Sequence, residues 1–279
     1  MVVKRWLSGV ARIPEIIACS RETDQWWALT LAYAGLRPLV YPYELRLRSG
    51  EQITLDERTD LVIFWLVFVR GHYPVAPGDR TIIDVGANIG MFTLYAARRA
   101  RDANIVAIEP FPDTCARLRS HVERNGLQDR VTILNYAVSG NSGEGNMDIS
   151  SDVPSQYRRL YSETIKGVNV RHRNMVEQTP GGVPVKAETL AQLLDRANIP
   201  AGDLLKLNIH GSEYEVLMSS PPGVLKRCKR IVVQYHELPA QTQLGKRPLF
   251  QQLQQVGFKL VRDRDTRRGA GLAVFERAA

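Results

Sequence analysis

Cysteine is scarce in this 279-residue chain. The three present, Cys19, Cys115 and Cys228, are scattered, odd in number and without C-x-x-C spacing. That excludes a disulfide framework and a zinc-ribbon site, and it favours a reducing, cytoplasmic setting. Cys115 falls inside an expected helix and reads as a small core residue. Long apolar runs are also missing. The longest, LVIFWLVFV from Leu61 to Val69, is far short of the roughly 20 residues that cross a bilayer, so it reads as buried helix. The basic N-terminus, MVVKRWLSGVARIPEIIACS, lacks a continuous apolar centre and a small-residue cleavage site, and reads as mature protein. There is no internal repeat and no low-complexity tract. The net charge of +8 is dispersed through mixed clusters such as RDRDTRR and KRCKR, the pattern of a solvated surface rather than of a nucleic-acid stripe.

What is there is an ordinary globular composition, 44% hydrophobic and 24% charged. Residues 1–40 have apolar residues at helical spacing, as in DQWWALTLAYAG. YPYELRLRSGEQITL reads as a hairpin around Ser49-Gly50, and a helix is expected from Arg58 to Arg70. Turn-rich HYPVAPGD divides an N-terminal extension, residues 1–77, from a domain at 78–279. There strands alternate with helices: TIIDVG, IVAIEP, VTILNYAV, LLKLNI and RIVVQYH are strands. That rhythm predicts an α/β fold, a doubly wound, mostly parallel sheet. The last two strands, FKLVRD and LAVFER, lack an intervening helix and predict an antiparallel hairpin at one edge. Residues 141–185 break the rhythm and read as a lid or substrate loop.

Asp84-Val85-Gly86-Ala87-Asn88-Ile89-Gly90 follows a strand and opens a helix. Its glycines allow a tight turn and close approach of a ligand. Asn88 replaces the second glycine of a dinucleotide fingerprint, so a pyrophosphate is poorly served and a compact zwitterionic end fits better. Glu109 ends the second strand, where an acid can accept both hydroxyls of a ribose. Pro110 and Phe111 follow it, and Tyr136-Ala137 at the end of the third strand could flank an adenine. Amino-acid end, ribose and adenine in that order describe S-adenosyl-L-methionine.

DVGANIG, VAIEPFP, the run VPVKAETLAQLL and LLKLNIHGSEYEVL together resemble the FkbM family of class I methyltransferases, over roughly residues 42–237. The resemblance implies a seven-stranded Rossmann-like sheet, S-adenosylmethionine as methyl donor and a hydroxyl acceptor on a sugar, lipid-linked glycan or polyketide-type natural product. It departs at the fourth strand's end. Where the family usually reads Asp-Ile-Glu-Gly, this chain has Asn208-Ile209-His210-Gly211. An amide is a poorer ligand for a divalent cation than a carboxylate, so a metal-independent reaction is expected, with Asn208 beside the donor.

An alcohol acceptor benefits from a base, and His210 sits where doubly wound sheets bind ligands. Ser212 and Glu215 predict a capping box, whose helix would keep His210 neutral. His236 ends the fifth strand as a second imidazole that could share base and orienting roles. Glu213 is a third site candidate, although an acid in a first helical turn also suits the helix dipole. Tyr157, Tyr161 and His172 are weaker acceptor contacts, and His72 and His121 have no comparable placement. An RNA-modifying enzyme is a competing reading. Lys206 is there for a lysine-based ribose methylation set, but its acidic partner at position 208 is missing. N-methylation and a cofactor-binding protein without catalysis also stay open. The N-terminal helices could cap the site, pair two subunits or touch a membrane surface.

Overall fold

The computed structural model describes residues 13–147, 160–161, 183–209, 211–236, 246–265 and 270–278. The chain falls into two compact units, one running up to Pro74 and including Ser120–Leu127, the other formed by Val75–Arg119 and the chain from Gln128 on. Among the described residues no helix is long and apolar enough to cross a membrane.

The first unit holds helices α1 (Ile13–Glu22) and α2 (Trp26–Tyr33), the hairpin β1 (Tyr43–Arg46) and β2 (Gln52–Leu55), and helix α3 (Arg58–Phe64). Asp60 starts α3 by accepting the Asp56 and Glu57 N–H groups at 2.8 and 3.3 Å. The helix expected to reach Arg70 instead loosens into a π-helical turn, Trp65–Val69. Trp65 is clamped there, stacked on Tyr33 at 4.3 Å and donating to Glu15 at 2.6 Å. His121 is structural: it is buried and its Nε2 accepts the Thr54 N–H at 3.0 Å.

The second unit is built on β3 (Thr81–Val85), β4 (Asn104–Ile108), β5 (Val131–Leu134), β10 (Gly202–Leu207), β11 (Cys228–His236), β12 (Phe258–Asp265) and β13 (Ala270–Arg277). They form one seven-stranded sheet in the order β5-β4-β3-β10-β11-β13-β12. The first five are mutually parallel. Ile82, Ile83, Val85, Leu204, Leu205, Leu207 and Ile231–Val233 are fully buried, as strands covered on both faces must be. Helices α4 (Met91–Arg99), α5 (Pro112–Arg124), α6 (Leu190–Arg196), α7 (Glu213–Ser219), α8 (Pro222–Leu225) and α9 (Lys246–Val256) complete the unit's described helical segments, α5 ending among the residues of the first unit.

The last two strands form the expected antiparallel hairpin at one edge, with β13 beside β11 and the charged strand β12 outermost. Two expectations are corrected here. VTILNYAV is not one strand: β5 stops at Leu134, and β6 (Ala137–Val138) pairs with β9 (Val183–Glu188). The described parts of 141–185 are not irregular either. β7 (Gly143–Met147), β8 (Leu160–Tyr161), β9 and β6 form a separate four-stranded sheet. Polar, glycine-bearing strands of this kind carry weak periodicity, which is why the pattern read as loop. Cys19, Cys115 and Cys228 are buried free thiols, and burial pushes the Cys228 thiol up to about 12.

Candidate active site

The turn after β3 needs residues that accept left-handed backbone. Gly86, Asn88 and Gly90 have φ of 75°, 51° and 90°. A Cβ on Gly86 would stand 2.2 Å from the Asn208 carbonyl oxygen, so this glycine also lets the turn touch the end of β10. On Gly90 a Cβ would stand 2.6 Å from Leu118 Cδ1. Every N–H of the turn is already used. Gly86 and Ala87 donate to Ile108 O at 3.0 Å, and Asn88 donates to Glu109 Oε2 at 2.8 Å. Ile89 donates to Asn88 Oδ1 at 2.8 Å, and Gly90 to Ala87 O at 2.9 Å. A turn with its donors engaged suits a cationic or zwitterionic group better than a pyrophosphate, which is recognised by free N–H groups.

Glu109 stands just beyond β4 and is 5% exposed. Its Oε1 accepts the Phe111 N–H at 3.1 Å, so one carboxylate ties two turns together. Burial pushes its pKa up to about 7, against the pull of the Phe111 and Asn88 N–H groups and of Lys206. Two bonds leave lone pairs on both oxygens for further hydroxyl donors.

Beneath the turn lies a buried ion pair. Lys206 Nζ is 2.8 Å from Asp84 Oδ1 and also donates to Gly86 O at 2.8 Å and Val85 O at 3.3 Å. Thr93 donates to Asp84 Oδ2 at 2.7 Å. Asp84 is thus fully buried, with both carboxylate oxygens engaged. The pairing of Lys206 with Asp84 was not foreseen. The usable signal was that LLKLNI and TIIDVG each carry one charge in an otherwise apolar strand, and buried charges must pair.

Asn208, Ile209 and Gly211 form the turn between β10 and α7; His210 lies outside the described residues. The expected capping box is absent. Ser212 is the N-cap but makes no side-chain cap bond. Glu215 accepts from Gly140 N at 2.9 Å instead. The turn is held by Glu213, which is fully buried and accepts the Ile209 and Gly211 N–H groups at 2.8 and 2.6 Å. Its Oε1 also lies 3.1 Å from Nδ1 of His236, the last residue of β11. A carboxylate that accepts two backbone N–H bonds keeps lone pairs that can also accept an N–H from Nδ1 of His236. The His236 side chain keeps 17% exposure.

Phe111 and Ala137 are buried together in a small core with Val185 and Ala187. Tyr136 is half-buried with the Arg196 guanidinium 4.9 Å from its ring centroid. Pro110 O accepts from Asn135 Nδ2 at 2.9 Å. Tyr161 lies in β8, and Tyr157 and His172 fall outside the described residues.

The family model described as the methyltransferase FkbM domain matches residues 84–260, from Asp84 under the turn to the middle of β12. Methyltransferase sdnD of Sordaria araneosa is 30% identical over 72% of this chain and 83% of its own length. The 31-O-demethyl-FK506 methyltransferase FkbM of Streptomyces tacrolimicus is 27% identical over 61% of this chain and 70% of its own. The hexuronic acid methyltransferase AglP of Haloferax volcanii is 29% identical, with 58% of each chain covered. With the matching region spanning both the glycine turn and the Glu213–His236 pair on a Rossmann-like seven-stranded sheet, the chain belongs to the FkbM methyltransferase family.

Proposed function

We propose that this chain methylates a hydroxyl of a natural-product or glycan acceptor, using S-adenosylmethionine and His236 as general base. The observation that carries the reading is the 3.1 Å contact of His236 Nδ1 with the buried Glu213 carboxylate. Bound S-adenosylmethionine supplies a methyl group already activated on a sulfonium sulfur. The Gly86–Gly90 turn is assigned its zwitterionic end, because the N–H groups that a pyrophosphate would need are engaged. Glu109 fits its ribose, with lone pairs to spare beyond its two backbone bonds. Asn208, Pro110 and Tyr136 complete the residues assigned to the donor.

The acceptor's proton passes to Nε2 of His236 as its oxygen becomes nucleophilic. Glu213 holds the ring in that tautomer and stabilises the imidazolium formed. The acceptor class is drawn from relatives named for a demethylated FK506 and a hexuronic acid. His210, next to the same turn, is the alternative base. The burial of Lys206 against Asp84 speaks against an exposed lysine serving an RNA ribose.

The test is S-adenosylhomocysteine release on a panel of hydroxylated and amine acceptors, with wild type and His236→Gln. Turnover on a hydroxyl acceptor that the variant loses supports the reading. Turnover confined to amines, or untouched in the variant, overturns it.

A further inference from the structure

We propose that Lys206 is a positioning residue for the methyl donor, acting through the carbonyl of Gly86; this rests on the S-adenosylmethionine reading above. Lys206 is 3% exposed in a strand whose neighbours Leu204, Leu205 and Leu207 are fully buried. Burying an ammonium and a carboxylate gains little for the sheet, since a buried ion pair is often replaceable by apolar residues without loss of stability. An apolar pair could not grip the turn, however. The three protons of the ammonium meet three acceptors, Asp84 Oδ1, Val85 O and Gly86 O. Asp84 lies directly opposite Lys206 in the β3–β10 register, and Val85 O also accepts the Asn208 N–H of the regular ladder.

Gly86 is different, because it is the first residue past β3 and opens the turn. Its N–H is held by Ile108 O at the end of β4, and its carbonyl by Lys206 on β10. The turn is thus pinned from both strands that flank β3. Such pinning is preorganisation: it removes the ordering cost that ligand binding would otherwise carry. The Phe92 ring centroid also lies 5.7 Å from Nζ. The ammonium sits beneath the turn as a strut and does not itself face a ligand.

The experiment compares wild type with the double variant Asp84→Asn/Lys206→Met, which removes both charges together and leaves neither stranded. Melting temperature and calorimetric affinity for S-adenosylhomocysteine are measured. The expected result is melting within about 5 °C of wild type, with affinity weaker by about tenfold or more. Folded double variant that binds within about twofold of wild type makes the pair purely structural and overturns the inference. If the double variant does not fold, Lys206→Arg takes its place, judged by the same two affinity limits. It keeps the charge beside Asp84 but replaces a compact ammonium by a flat fork. Wild type that binds neither S-adenosylhomocysteine nor S-adenosylmethionine removes the donor reading, and this inference with it.

Discussion

Glu213 Oε1 lies 3.1 Å from Nδ1 of His236, joining the first residue of α7 to the last residue of β11. The same carboxylate carries the N–H groups of Ile209 and Gly211. One buried acid thus shapes the turn at the end of β10 and orients the imidazole beside it.

His236→Gln is expected to lower turnover by about 10²–10⁴, the usual weight of a general base, with S-adenosylhomocysteine affinity unchanged. His210→Gln, run in parallel, is expected to lose less than about tenfold. Steady-state kinetics with calorimetry decides; the reverse ranking moves the base to His210.

Glu213→Gln has two expected effects. The amide puts a donor among groups that are themselves donors, so stability falls by about 1–3 kcal/mol, read by denaturant melts. Turnover falls as well, because the ring loses its anchor. Full stability together with full turnover would contradict the shared role.

Glu109 predicts a pH dependence. Its folded pKa of about 7 lies above the ordinary 4.5, so the folded state binds this proton more tightly than the unfolded one. Its destabilising contribution is absent below the unfolded value, grows as pH rises through the folded one and is complete above it. The full span is about 3 kcal/mol. Thermal melts of wild type against Glu109→Gln across that window should show the slope in wild type alone. Affinity for S-adenosylhomocysteine should also fall as pH drops below the folded value, because the carboxylate is the form that only accepts hydrogen bonds.

Gly86→Ala is expected to be the harsher of two turn substitutions. Its Cβ meets the Asn208 backbone oxygen at 2.2 Å, whereas that of Gly90→Ala meets the end of the flexible Leu118 side chain. Both also carry a left-handed backbone penalty of about 1–2 kcal/mol. Comparable melting temperatures for the two variants would show that the β10 turn yields easily.

Methyl transfer is expected to proceed undiminished in excess chelator, because the residue at the end of β10 is the amide Asn208 and a histidine is assigned as base. Loss of turnover that magnesium or manganese restores would place a cation in the reaction.

The glycine turn was legible because its chemistry is local. Gly86, Asn88 and Gly90 sit close together in the chain, and the backbone angles they permit belong to them alone. Glu109 was legible as the acid ending a strand, though not as a clamp on Asn88 and Phe111. The split of VTILNYAV between two sheets was not legible, since the pairing partners of β6 lie far along the chain in β9 and strand periodicity says nothing of partners. Ser212 and Glu215 matched a capping pattern, yet the neighbouring Glu213 took the N–H groups of the turn. Several acids in one turn compete, and geometry chooses among them.

By itself the sequence determined the alternation of strands and helices, the glycine turn after β3 and the family, because each depends on residues adjacent in the chain. Only the tertiary structure decided that Lys206 answers Asp84 and that Glu213 faces His236 rather than merely decorating a helix dipole. The physical reason is register. Asp84 and Lys206 stand opposite each other across β3 and β10, and His236 is brought to α7 by the length of β11. Such meetings are set by sheet pairing between distant segments, and buried charges then settle on whichever partner that pairing brings within reach.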